Sequence, residues 1–202
     1  MERKASLSKK AQSAATIQRL LAVAMQEFSD KGYAGASTEA IVKKAKVTRG
    51  ALYHHFKGKK DLFYAVFKAA QLEIGNRIEA DADAADDPWG GLISGCNAFL
   101  KACSDPALQQ IVVIDAPAVL DWNTYRSVDV NLPGSGLSLL KEYLQDLVDQ
   151  KMIKPIAVDA LAHLLSGAMD EAAVWIAQSA NPSKSLAEAQ HTLLALIQSL
   201  KV

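Results

Sequence analysis

The sequence predicts an all-α protein with a small N-terminal helical domain and a larger C-terminal one. Apolar residues recur three and four positions apart through most of the 202 residues, whereas Val, Ile and Thr never alternate with polar residues in runs bounded by turns. Half of the residues are hydrophobic, which suffices to bury a core in a chain of this length. The spacing therefore favours helices throughout and predicts no strand.

Charge is distributed unevenly, although the formal net charge is zero. Residues 1–60 hold 13 Lys and Arg and 4 Asp and Glu, a net charge of +9, whereas residues 61–202 hold 9 basic and 18 acidic residues. A basic half of this kind is typical of proteins that bind nucleic acid or a membrane surface. No apolar run reaches the roughly 18 residues of a membrane span, and Met1 precedes a polar stretch without the apolar core of a signal peptide. We therefore expect a cytoplasmic protein without a membrane partner.

The first elements predicted are an arm and a helix. Residues 1–15 are basic, rich in Ser and Ala and without apolar periodicity, which indicates a flexible arm. Thr16 can cap the first helix, and Gly32 can end it. The predicted domains are the arm at 1–15, a helix-turn-helix domain at 16–60 and a C-terminal domain at 61–202.

Two short helices separated by a tight turn follow. Ser37 or Thr38 can cap the first, at about 38–45, and Thr48 can cap the second, at about 49–56. Only Lys46 and Val47 remain between the first helix and the Thr48 cap, so the two helices must cross steeply. This spacing is typical of a helix-turn-helix unit.

The second short helix has an apolar face and a cationic, aromatic face. Leu52 and Phe56, four residues apart, can hold it to its own domain while the other face lies in a DNA major groove. Arg49 can bind guanine through two hydrogen bonds, and Gly50 permits close approach of the backbone. A charged face that meets only solvent is the alternative. The residues predicted to contact DNA bases or phosphates are Thr38, Thr48, Arg49, Gly50, Tyr53, His54, Lys57 and Lys59.

Pro and capping residues mark the later helices. Predicted helices begin at Lys59, Pro88, Pro106, Pro117, about residue 134 and Pro155, and Ser185 with Glu188 forms a capping box for the last one. The apolar helices at about 134–151 and 155–179 carry small residues, such as Ala162 and Gly167, that would allow close packing against a second copy of the chain. Packing within a single subunit is the alternative.

Polar and large aromatic residues inside apolar helices are candidate ligand contacts. His163, Ser166 and Asp170 recur three and four residues apart, so they can face either a ligand or a subunit interface. The candidate effector-binding residues are Asn97, Trp122, Tyr125, His163, Ser166, Met169 and Asp170.

Catalytic and metal chemistry are not predicted. The chain has no Gly-x-Ser-x-Gly elbow and no Gly-rich phosphate loop, and no third ligand can be named to join His163 and Asp170 around a metal. We therefore expect no enzyme activity, no metal and no cofactor. Cys96 and Cys103 on one helix would have Cα atoms about 10 Å apart, too far for a disulfide. They are interpreted as small apolar residues, with a redox role as the alternative.

Residues 28–67 carry an aromatic-x-x-x-Gly-Tyr turn, then Thr-x-x-x-Ile, then Gly-x-Leu-Tyr-x-His-Phe-x-x-Lys-x-x-Leu. This segment resembles the DNA-binding domain of the tetracycline-repressor (TetR) family. The matching residues are Gly32, Tyr33, Thr38, Ile41, Gly50, Leu52, Tyr53, His55, Phe56, Lys59 and Leu62. Lys46 stands where the family usually has Gly in the turn, so we expect a left-handed conformation there at a cost of roughly 1 kcal/mol. Val42 stands after Ile41, where the family usually has a smaller Ala.

The resemblance implies a homodimeric, all-helical repressor that binds operator DNA and is released by a small molecule. We accordingly expect binding to a palindromic operator, with the two heads in major grooves about 34 Å apart, and a small apolar or aromatic effector in the C-terminal domain. Two alternatives remain: an architectural DNA-binding protein without an effector, and a redox sensor that acts through Cys96 or Cys103.

Overall fold

The computed structural model describes residues 2–201, with side chains from residue 10 onward, and the chain divides into two compact units. The division lies between Phe67 and Lys68, within the fourth helix. The helices that begin in the N-terminal unit are α1 (Glu2–Gly35), α2 (Thr38–Lys44), α3 (Arg49–His55) and α4 (Lys59–Asp83). None of the helices in the described residues combines the length and apolar character that crossing a bilayer requires.

Helix α1 begins earlier than the sequence predicted. Its backbone is helical from Glu2, and the Thr16 hydroxyl donates to the Gln12 carbonyl at 2.9 Å, so Thr16 lies inside the helix and not at its cap. Residues 2–15 contain no Gly or Pro to stop a helix. Part of the predicted flexible arm at residues 1–15 precedes residue 10, where the described side chains begin. Helical geometry breaks at Gly32, as predicted, where φ is +65°.

The helix-turn-helix unit forms as predicted. Ser37 caps α2 by accepting the Ala40 N–H at 3.3 Å, and Thr48 caps α3 by accepting the Ala51 N–H at 3.1 Å. Lys46 takes the expected left-handed conformation in the turn, with φ at +53°. These caps fix the ends of two seven-residue helices, which are too short to be stable without the domain around them.

Aromatic rings form the centre of the N-terminal unit. Phe28 of α1 and Phe63 of α4 are fully buried, with ring centroids 5.1 Å apart and perpendicular planes, and Tyr33 contacts both rings. Leu52 of α3 is also fully buried. The DNA-binding candidate α3 is therefore held against a rigid base through its apolar face.

The C-terminal unit is built from the remaining helices. They are α5 (Pro88–Cys103), α6 (Pro106–Leu108), a π-helix (Gln109–Asp115), α7 (Ala116–Val119), α8 (Trp122–Asn131), α9 (Gly136–Asp149), α10 (Val158–Gln178) and α11 (Pro182–Gln198). Asp87 caps α5 by accepting the Gly90 N–H at 2.8 Å, as the sequence predicted. Leu92, Leu144, Leu165 and Leu193 contribute one buried side chain each from α5, α9, α10 and α11 to a common core. Among the described residues, β-type pairing is confined to one bridge between Ile153 and Lys201.

Two predicted helix starts in the C-terminal unit are wrong, and a third differs in detail. Helix α10 begins at Val158 and not at Pro155. Pro117 lies in the first turn of α7, as predicted, but no break precedes it, because the π-helix leads directly into α7 and the Ala116 N–H donates to the Ile111 carbonyl, five residues earlier. A proline has no N–H and crowds the carbonyl four residues before it, and the wider π turn accommodates both effects. Ser185 lies buried inside α11 and donates to the Ser179 hydroxyl at 2.7 Å. The actual cap is Asn181, which accepts the Lys184 N–H.

Candidate DNA-binding surface and effector cavity

Helix α3 presents one face to solvent. Leu52 and Phe56 are buried, whereas Arg49, Gly50 and His54 are exposed and Tyr53 is 46% exposed. The four-residue spacing of the two apolar anchors fixes which side of this short helix is free. The exposed side is the side that the sequence predicted to contact DNA.

The exposed side chains of α3 contact one another. The Arg49 guanidinium carbon lies 5.6 Å from the centre of the Tyr53 ring, a cation–π distance, and the rings of His54 and His55 lie 4.9 Å apart. The guanidinium therefore lies beside the Tyr53 ring, and its planar set of donors suits a bidentate partner. Arg49 remains the residue of this helix that is predicted to bind a guanine edge.

The residues predicted to contact phosphates differ in the contacts that they already make within the protein. Lys57 is exposed, and its backbone N–H donates to the Asp61 carboxylate at 2.9 Å. Lys59 Nζ lies 4.6 Å from the centre of the Tyr33 ring and donates to the Ala34 carbonyl at 3.3 Å, so Lys59 joins the start of α4 to the end of α1. Thr38 is half-buried, and its hydroxyl donates to Glu39 at 3.3 Å.

One residue of the N-terminal unit that the sequence did not single out is Glu27. Its side chain is fully buried, yet its two oxygens accept hydrogen bonds from Lys31 at 2.6 Å and Lys44 at 2.7 Å. These hydrogen bonds lower the pKa of Glu27, so the carboxylate stays charged and joins α1 to α2. An acidic residue beside the apolar positions Ala24 and Phe28 was the signal for it in the sequence.

The C-terminal unit contains a cavity of about 360 Å³ lined by residues of α5, the π-helix, α8 and α10, together with Gln71 of α4 and Pro117 of α7. Its apolar wall includes Phe99, Val112 and Val174, and its polar wall includes Tyr125, Arg126, Asp129 and Asp170. The volume is within the usual range for small-molecule sites. We call this space the effector cavity.

The structure brings three of the seven predicted effector-binding residues to this cavity. Trp122, Tyr125 and Asp170 line it. Ser166 and Met169 are buried beside a much smaller space of about 20 Å³, and Met169 also lines an open space of about 490 Å³ formed mainly by α10 and α11. His163 is exposed two helical turns before Asp170 on α10 and does not line the effector cavity. Asn97 is half-buried on α5 and does not belong to the lining of any of these spaces.

Arg126 organises the polar wall. Its Nη1 atom contacts Asp129 at 2.9 Å and Asp170 at 3.1 Å. The sequence analysis missed both Arg126 and Asp129, because the partner that explains them lies 44 residues away on α10. Their presence on a short helix with Trp122 and Tyr125 was the only sequence signal.

Burial changes the protonation of the two carboxylates that contact Arg126. Burial raises the pKa of Asp129, although Arg126 opposes the shift. Burial, followed by the repulsion of Asp129, raises the pKa of Asp170 to about 7, again against Arg126. Burial also raises the pKa of Tyr125, so its hydroxyl stays protonated. The cavity wall therefore holds a carboxylate whose charge changes near neutral pH.

The two cysteines are buried inside α5. Burial raises the pKa of Cys96 to about 12. Burial, with a smaller contribution from Asp170 and Asp129, also raises the pKa of Cys103, which lines the effector cavity. Because the thiolate is the reactive form, both environments suppress thiol chemistry.

Large apolar side chains are exposed on α10 and α11. Leu164 is 72% exposed, Trp175 45% and Leu196 55%. Helix α9 differs, because its leucines are buried and its exposed positions include Glu142 and Gln145. The sequence predicted a subunit interface on α9 and α10, but the exposed apolar surface lies on α10 and α11.

Sequence comparison matches two family descriptions to the chain. "Bacterial regulatory proteins, tetR family" matches residues 20–66, and "Tetracyclin repressor-like, C-terminal domain" matches residues 89–200. The second match alone covers more than half of the 202 residues. Both parts of the chain therefore carry sequence features of one family.

Individual proteins and a solved structure also match the chain. The chain is 28% identical over 173 residues to the transposon Tn10 TetC protein of Escherichia coli, covering 86% of this chain and 82% of that protein. It is 42% identical over 74 residues to the HTH-type transcriptional regulator AcrR of Shigella flexneri, covering 36% of this chain and 34% of that protein. The crystal structure of a TetR-family transcriptional regulator from Pectobacterium atrosepticum matches with a TM-score of 0.81 and 34% identity, covering 95% of this chain and 97% of that one.

Proposed function

The chain belongs to the TetR family of DNA-binding transcriptional regulators, and on this premise we propose that it is a repressor released from its operator by a small molecule. The observation that carries the proposal is the exposed face of α3, where Arg49, Gly50, Tyr53 and His54 lie opposite two buried anchors. Members of this family are regulators and not enzymes. Operator DNA as the partner implies that the protein acts in the cytoplasm.

The proposed DNA contacts are of two kinds, contacts with base edges and contacts with phosphates. Arg49 is proposed to bind a guanine edge, with Gly50 allowing the backbone to come close and Tyr53 and His54 reaching bases or phosphates. Thr38, Thr48, Lys57 and Lys59 are proposed to contact phosphates. Lys57 is the strongest of these candidates, because Lys59 already has partners within the protein.

We propose that two chains associate through α10 and α11. The exposed Leu164, Trp175 and Leu196 supply apolar surface that a second copy would bury. A twofold axis would bring identical surfaces together and would set two α3 helices on a palindromic operator, in major grooves about 34 Å apart.

The effector cavity supplies the proposed ligand site. Its wall contains aromatic and aliphatic side chains with a few polar groups, the composition expected for a small aromatic ligand. Helix α4 runs from Lys59 to Asp83 and belongs to both units, so we propose that it transmits the effect of the ligand. A hundredfold loss of DNA affinity requires about 2.7 kcal/mol of differential effector binding between two states.

The test is fluorescence anisotropy with the DNA immediately upstream of the gene, compared with scrambled DNA of equal length over a series of salt concentrations. We expect tight binding at physiological salt only on the upstream DNA, since base contacts add to the salt-sensitive phosphate contacts. Equal and equally salt-sensitive binding to both would contradict operator recognition and favour the architectural alternative.

A further inference from the structure

We propose that the effector cavity binds an aromatic organic cation, with the positive charge beside Asp170 and the ring against Trp122 and Tyr125. The inference rests on the proposed function, because it names the chemical class of ligand for the same cavity.

The polar wall of the effector cavity contains more acidic than basic groups. Asp129 and Asp170 both contact the same nitrogen, Nη1 of Arg126, and His163 of α10 interacts electrostatically with Asp129. With both carboxylates ionised the trio has a formal charge of −1, and Glu171 adds a further acid to the cavity lining. A partly buried excess charge is unfavourable unless a partner neutralises it. A ligand cation would supply that partner.

The two carboxylates differ in how accessible they are to a ligand. The side chain of Asp129 is 11% exposed, and hydrogen bonds from Leu137 N–H and Ser166 also stabilise it. Both carboxylates line the cavity, but the side chain of Asp170 is 31% exposed. Asp170 is therefore the carboxylate that is more accessible to a ligand. An anionic ligand would meet both acids, while the nitrogen of Arg126 nearest to them is already occupied.

An aromatic pair lies beside the charges of the polar wall. The rings of Trp122 and Tyr125 are stacked, with centroids 6.0 Å apart and planes 23° from parallel. Trp122 is 69% exposed, although a ring of this size is usually largely buried. An aromatic face next to a carboxylate attracts organic cations through the ring quadrupole and the charge together. A bound ring would also cover part of Trp122.

The position of Asp170 makes the binding dependent on pH. It faces Asp129, Arg126 and Tyr125 of α8 and Cys103 of α5, and its raised pKa of about 7 keeps it largely protonated below neutral pH. Only the ionised form attracts a cation strongly. The affinity for a permanently charged cation should therefore fall as the pH is lowered from 8 to 6.

The experiment uses three probes of similar shape and different charge. They are benzyltrimethylammonium, its neutral isostere neopentylbenzene, and the anion 3-phenylpropionate. Binding to the full-length protein is measured by isothermal titration calorimetry at pH 8 and pH 6. Asp170→Asn is compared with Asp81→Asn, which removes the same charge from an exposed position on α4.

We expect the cation to bind at least tenfold more tightly than either other probe at pH 8, and to lose several-fold in affinity at pH 6. Asp170→Asn should lower the affinity for the cation at least tenfold and leave the affinity for the neutral probe unchanged. Asp81→Asn should change neither affinity. Equal affinity for the cation and the neutral isostere, tighter binding of the anion, or no binding of the cation would overturn the inference. The pH series on the unaltered protein gives the same decision if the Asn variant fails to fold.

A DNA release assay separates this inference from the proposed function. Adding benzyltrimethylammonium to the complex with upstream DNA tests release directly. Cation binding without release would support the cation site and contradict its role as an effector site. Release by the neutral or anionic probe alone would support the effector role and overturn the cation site.

Discussion

Gly75 of α4 lies directly against the backbone of Gly134, in the loop between α8 and α9. A Cβ atom placed on Gly75 would collide with the carbonyl oxygen of Gly134, and Gly134 itself has a φ of +78°. Backbone atoms on both sides leave no flexible side chain to move aside. The contact holds the C-terminal part of α4 to the residues that begin α9.

Replacing Gly75 with Ala should therefore destabilise the C-terminal unit. Overpacking against backbone costs about 1–3 kcal/mol of unfolding free energy, which exceeds the gain of about 0.5–1 kcal/mol from Ala in a helix. Urea unfolding measures the difference. Gly167→Ala in α10 is the matched control, because its Cβ would meet nothing within 4 Å, and it should stabilise the protein. A stabilised Gly75→Ala variant would contradict the contact.

Arg49 and Lys57 should affect DNA binding in different ways. Arg49→Ala should weaken specific binding by about 1–3 kcal/mol and relax the base preference, because Arg49 is proposed to read a base. Lys57→Ala should weaken binding to all sequences alike and reduce the slope of log affinity against log salt by about 1. Anisotropy on upstream and scrambled DNA provides both measurements. Equal losses of affinity on both DNAs for Arg49→Ala would contradict the proposed contact between Arg49 and a base.

A charge on the exposed apolar face should dissociate the proposed dimer. Leu164→Lys places an ammonium on a surface that a second copy would bury, which costs several kcal/mol unless it is paired. Sedimentation analysis should show a monomer, and operator affinity should fall with it. Gln145→Lys on the exposed face of α9 introduces the same residue and should leave the dimer intact. The opposite result would place the interface on α9.

The cysteines should be inert in the folded protein. Because burial raises the pKa of Cys96 and Cys103, little thiolate is available at neutral pH. A thiol reagent should react slowly with the native protein and rapidly in denaturant, and mild oxidation should leave DNA binding unchanged. Loss of DNA binding on oxidation that Cys103→Ser abolishes would instead support the redox-sensing alternative.

Asp170 should make the stability of the C-terminal unit dependent on pH. Its pKa is raised from 3.8 in the unfolded chain to about 7 in the folded protein, so the folded state binds more protons between these values. Stability from this group should therefore fall as the pH rises from about 4 to 7, by at most about 1.4 kcal/mol per pH unit. Asp170→Asn should flatten the profile measured by thermal unfolding, and Asp81→Asn should not. An unchanged profile in Asp170→Asn would show that another group titrates.

Local signals in the sequence were sufficient for the helix-turn-helix unit. Thr48 as a cap, Lys46 in a left-handed turn and the four-residue spacing of Leu52 and Phe56 all act within a few positions of the chain, so their structural consequences could be predicted from it. The caps at Asp87 and Ser37 follow the same rule. Where the predictions failed, at Thr16 and Ser185, a residue able to cap lay inside a helix that continued past it.

The effector cavity depended on contacts between distant parts of the chain. Arg126, Asp129 and Asp170 form one charged group only because the folded chain brings Arg126 of α8 to Asp170 of α10, and no spacing in the sequence indicates that pairing. The same holds for Lys59, which turns to the Ala34 carbonyl, and for the choice of α11 over α9 as the exposed apolar helix. The sequence by itself determined the helical class, the helix-turn-helix unit and the family, because caps and periodicity act over short distances. Only the tertiary structure decided which polar groups share a cavity and which apolar groups stay exposed, because burial is a property of the packed chain.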